Sequence, residues 1–108
     1  MDIARTGVDI ATELAGVGVK IRDAADAVEA DPGASPVLAA VVREFLSKAD
    51  KVTRSVGAGA LPREGVVELE QAGDSAKAAV EADTGAGEAT RRAVQDAHLA
   101  ICVLKAQM

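Results

Sequence analysis

Ala27-Val28-Glu29-Ala30-Asp31-Pro32-Gly33-Ala34-Ser35 and Ala79-Val80-Glu81-Ala82-Asp83-Thr84-Gly85-Ala86-Gly87 agree at seven of nine positions, at an offset of 52 residues. In each, an alanine-rich run ends at an aspartate, Pro32-Gly33 or Thr84-Gly85 breaks the chain, and a small residue follows. Such a segment reads as the turn of a helical hairpin.

The flanking sequence carries the helices. Upstream of the first turn, Ile3, Gly7, Ile10, Leu14, Val17, Ile21, Ala24 and Val28 recur at alternating spacings of four and three. That is one face of a helix, and no strand alternates this way. Downstream, Ser35 followed by Pro36 makes an N-cap with proline at the first helical position. The second stripe is Leu38, Val42, Phe45, Ala49, Val52 and Val56, and Gly57 is placed for a left-handed C-terminal cap before a loop to Pro62. Val66, Leu69, Gly73, Ala76 and Val80 mark a third helix, thinner because two members are tiny, and Thr90, Val94, Ala97, Ile101, Leu104 and Met108 a fourth. The expected fold is all-α: an antiparallel up-down four-helix bundle, one domain over residues 1–108. The offset of 52 superposes the stripes of the two halves, so residues 5–56 and 57–108 read as two similar, duplicated hairpins.

Composition agrees and narrows function. Alanine supplies 24 of 108 residues, Phe45 is the one aromatic, and acids outnumber bases by 17 to 12. An acidic chain without Trp or Tyr lacks both the basic footprint and the stacking platforms of a nucleic-acid binder. No apolar run nears the roughly 18 residues of a membrane span. Asp9 and Glu13 interrupt Ile3 to Val19, so the N-terminus does not read as a secretory signal. With Cys102 the only cysteine, a reducing cytoplasm is the expected compartment.

The candidate chemistry is thin. Gly16-Val17-Gly18 and Gly57-Ala58-Gly59 lack the preceding strand and the Gly-Lys-Ser/Thr ending of a phosphate loop. Gly85 and Gly87 open the fourth helix, where free N–H groups attract an anion, and Arg91 and Arg92 follow within a turn; an anion site there is the alternative to a solvated helix start paired to Glu88. His98 and Cys102, four residues apart, supply two metal ligands, but a tetrahedral site needs acidic partners or a second subunit, so no metal and no cofactor is expected. Asp23, Asp26, Glu29, Asp31, Glu81 and Asp83 gather at one end of the bundle as a solvated acidic face. With no base-oriented nucleophile, no catalytic residue is assigned.

The fourth helix has two apolar faces. At 100° per residue, Leu99, Cys102, Val103 and Ala106 point more than about 110° away from its stripe, and Val8 and Val19 leave the stripe of the first helix, its expected neighbour. These six residues are the expected partner interface, and the leading function is a non-enzymatic interaction module that self-associates or docks onto another protein, a homodimer being favoured. The alternative is a regulatory bundle holding a small apolar molecule between the third and fourth helices, or an anion at their turn.

Overall fold

In a computed structural model, which describes the backbone of residues 7–108 and the side chains from residue 10 onward, the chain forms four helices: α1 (Gly7–Glu29), α2 (Pro36–Gly57), α3 (Arg63–Ala82) and α4 (Glu88–Ala106). They close into an antiparallel four-helix bundle in which α1 and α3 each pack against both α2 and α4. Among the described residues there is no strand, and no helix is long and apolar enough to cross a membrane.

Local chemistry sets the helix ends. Ser35 caps α2 by accepting the Leu38 N–H at 3.1 Å, with Pro36 in the first turn. At the other end Gly57 departs from expectation: it completes α2 itself, and the left-handed residue is Gly59, at φ 101°. The Ala58, Gly59 and Ala60 N–H groups bond back to Arg54, Val56 and Ser55 carbonyls, so the helix unwinds over three residues instead of stopping at one.

Among the described residues all four stripes turn inward; Ile3, at the start of the first stripe, lies outside them. Leu14, Ile21, Leu38, Phe45, Leu69, Ile101 and Leu104 are fully buried, and no buried side-chain nitrogen or oxygen among the described residues lacks a partner. Phe45 reaches across to Gly73, where an added Cβ would stand 3.0 Å from the ring and 3.2 Å from Ile101. At the positions 52 residues away stand Ala97 and Ile21, both buried. Large and small exchange places between the halves, and the total volume is kept. Gly65 works alike, since a Cβ there would collide with Val52.

The two hairpin turns hold each other. Asp31 Oδ1 accepts the N–H of Gly33 at 2.9 Å within its own loop, a local Asx turn, and Oδ2 reaches across to the Gly87 N–H at 2.8 Å and the Thr90 hydroxyl at 2.6 Å. Asp83 repeats the pattern, with Oδ1 on the Gly85 N–H at 2.9 Å and Oδ2 on the Ser35 N–H at 2.8 Å. Each carboxylate thus caps the N-terminus of a helix in the other hairpin, where the helix dipole favours negative charge. Between them Gly33 and Gly85 meet backbone to backbone, and a Cβ on either would run into the other's carbonyl oxygen. Only glycine permits that approach.

Two outcomes follow for stability. Phe45→Ala deletes the largest buried side chain and is expected to lower unfolding free energy by about 3–5 kcal/mol in denaturant titration. Hydrogen bonds hold the Asp31 carboxyl below its usual pKa, the Thr90 hydroxyl first among them, and the Ser35 N–H does the same most strongly for Asp83. A lowered folded pKa contributes stability above the unfolded value, about 3.9, that is lost as pH falls through the folded ones. Melting temperature should therefore drop below about pH 4, and Asp31→Asn with Asp83→Asn should flatten that drop; an unaltered acid limb in the double variant would show that the carboxylates do not carry it.

Candidate functional site

Helix α4 carries the candidate residues on two different sides. Its outer side, opposite the core, bears Leu99 and Val103, 61% and 46% exposed, with Ala106 also exposed. Val19 stands out from α1 at 60% exposure. Thr90 Oγ1 lies 3.4 Å from the Ala27 carbonyl, which fixes the register of the antiparallel α1–α4 pair; counted from there, Leu99 comes level with about residue 18 of α1 and Ala106 with about residue 11. Val8 belongs to α1, but its side chain lies outside the described residues.

Cys102 does not belong to that outer side. It is half-buried in the groove facing α3, its Sγ 3.5 Å from His98 Nε2. The same nitrogen lies 2.8 Å from Asp74 Oδ1 of α3, and one turn away Lys105 Nζ pairs with Glu70 Oε1 at 2.9 Å. Burial pushes the Cys102 thiol up from its ordinary pKa, and the carboxylates of Glu70 and Asp74 push the same way. The thiol is therefore held protonated and is a poor nucleophile. Asp74 and Glu70 were not singled out from the sequence, although a signal existed: Asp74 and His98 lie equally far, twelve residues, from residue 86 in the α3–α4 turn, as do Glu70 and Cys102 at sixteen.

The anion site expected at Gly85, Gly87, Arg91 and Arg92 is otherwise engaged. The Gly85 and Gly87 N–H groups donate to Asp83 and Asp31, so the anion at the start of α4 is the protein's own carboxylate. Arg91 turns back and donates to the carbonyls of Val80 at 3.1 Å, Ala86 at 3.3 Å and Asp83, covering the C-terminal end of α3, while Arg92 stays exposed. At Gly73, the smallest member of the α3 stripe, the space a side chain would occupy is taken by Phe45 and Ile101. A cleft of about 170 Å³ between α2 and α3 is lined by Lys48, Val52, Glu64 and Glu68, and Lys48 already pairs there with Glu68 at 3.8 Å and Glu44 at 3.9 Å.

No protein-family model, curated protein or solved structure matches this chain.

The two arginines should separate on substitution. Arg91→Ala strands helix-end carbonyls and is expected to cost about 1–2 kcal/mol in stability, whereas Arg92→Ala should stay within about 0.5 kcal/mol; equal effects in thermal melts would contradict the assignment.

Proposed function

We propose that this bundle is a non-catalytic interaction module that pairs with a second copy of itself through the outer side of α1 and α4. The observation that carries the reading is that Val19, Leu99, Val103 and Ala106, together with the small residues Thr12, Ala15 and Gly16, are all exposed on adjacent helices over the same length of the bundle. Large apolar side chains grouped in this way mark contact surfaces more often than singly scattered ones do. The small residues of α1 leave room for a neighbouring helix; a Cβ built on Gly16 meets nothing. A two-fold dimer is the simplest closed assembly for such a self-complementary patch.

The absence of catalysis is part of the same reading. It is supported by a protonated Cys102 thiol and an Arg91 engaged with backbone carbonyls. A reducing, cytoplasmic setting is proposed with it, on the ground that the one cysteine is a free thiol.

Light scattering tests the pairing. The protein is expected at the mass of a dimer, and Leu99→Glu combined with Val103→Glu is expected to give a folded monomer, since both side chains already face water and the core is untouched. A wild type that stays monomeric at high concentration, or a double variant that keeps the wild-type mass, would overturn the reading.

A further inference from the structure

Three donor atoms of different kinds converge in the groove between α3 and α4, away from the α1–α4 patch. Asp74 Oδ1, His98 Nε2 and Cys102 Sγ all lie within 4.8 Å of one another. Zinc bonds of about 2.0–2.3 Å set tetrahedral donors about 3.3–3.8 Å apart. The Sγ–Nε2 separation of 3.5 Å already has that value. The 2.8 Å between Nε2 and Oδ1 needs to open by about half an ångström as an ion replaces the hydrogen bond, and Asp74, exposed and at the groove's edge, is free to make that move. His98 and Cys102 stand one turn apart on a rigid helix, which fixes two of the three ligands before any ion arrives.

The protein supplies its own control. The offset of 52 maps Asp74, His98 and Cys102 onto Arg22, Leu46 and Asp50 of the first hairpin. There Arg22 Nη2 lies 3.5 Å from Asp50 Oδ1, and Leu46 packs on the core between the helices. An exposed ion pair and a partly buried leucine thus occupy these positions in the first hairpin. At the equivalent place in the second hairpin the cation is a carboxylate, the leucine an imidazole and the acid a thiol, and all three changes are to metal-ligand types.

We propose that Asp74, His98 and Cys102 bind one zinc-class divalent ion. An imidazole nitrogen, a thiolate sulfur and a carboxylate oxygen form the borderline-soft set that zinc accepts, whereas calcium and magnesium demand oxygen alone. The solvent side of the groove leaves the fourth position to water. On binding, the Cys102 S–H bond is exchanged for a sulfur–metal bond and one proton leaves to solvent, with no change of oxidation state.

The test uses Co²⁺ as an optical probe and Zn²⁺ as competitor, on the intact chain under reducing conditions. One Co²⁺ per chain is expected, with a thiolate-to-cobalt charge-transfer band that Zn²⁺ abolishes, and Zn²⁺ is expected to raise the melting temperature because it binds the folded chain. Asp74→Arg with His98→Leu and Cys102→Asp copies the first hairpin; it should keep the helical circular dichroism, lose the band and bind Zn²⁺ at least about a hundredfold more weakly, since changes behind a ligand alone cost about 10–100-fold. Cys102→Ser, a near-isosteric change, should lose the same band and keeps the test decisive should the triple variant fail to fold. No charge-transfer band in the wild type at saturating Co²⁺, or a Zn²⁺ affinity that Cys102→Ser leaves unchanged, would overturn the proposal.

Discussion

Asp31 and Asp83 reach past each other, each with one carboxylate oxygen on its own turn and the other on the opposite hairpin. Helices meeting along stripes of Val, Leu, Ile and Ala have, Thr90 apart, no buried polar side chain among the described residues to set their register, so only side-chain shape resists sliding. The exchanged carboxylates remove that freedom at one end. Once the Gly33 and Gly85 backbones touch, the height of every residue on one hairpin is fixed relative to the other, and Phe45 arrives opposite the missing side chain of Gly73. Thr90 belongs to the same arrangement: a hydroxyl in an otherwise apolar stripe is buried because Asp31 accepts its proton.

Four helices, their boundaries near the two turns and the inward faces were legible in the sequence, because a period of 3.6 residues is a local property. Relations between helices were less so. Arg91 read as an anion ligand because arginine beside glycines at a helix start is a local pattern; its three carbonyl acceptors become visible only once α3 ends beside it. Cys102 was assigned to the outer side by its angle from the stripe, yet that angle also describes a flank, and which flank is covered depends on the neighbouring helix. Leu99 and Val103, nearly opposite the core, had no neighbour to be covered by and stayed exposed. Gly57 and Gly59 are a smaller case, since both lie near the end of α2 and only the run of hydrogen bonds decides which one adopts the left-handed backbone.

The halves correspond at their turns and diverge along their length. Both aspartates keep one hydrogen-bonding scheme, while the capping differs around them: Ser35 caps α2 with its own side chain, whereas Gly87 has none and α4 takes its cap from Asp31 across the interface. Along the grooves, Arg22 and Asp50 brace α1 to α2, and Glu70 with Lys105 braces α3 to α4. Such exposed pairs contribute little stability each, so their residue types are open to change without loss of the fold.

The link from α2 to α3 has a consequence for how the hairpins meet. Its backbone N–H groups at Ala58, Gly59 and Ala60 bond only to the end of α2, and Leu61 is almost fully exposed. It therefore tethers without docking. A tether this short keeps its two ends at an effective concentration on the order of millimolar or above, so the encounter of the hairpins is intramolecular and nearly free of translational loss. The polar contacts at the far end then have no need to provide affinity; they help to select one alignment along a seam whose other contacts are almost all apolar.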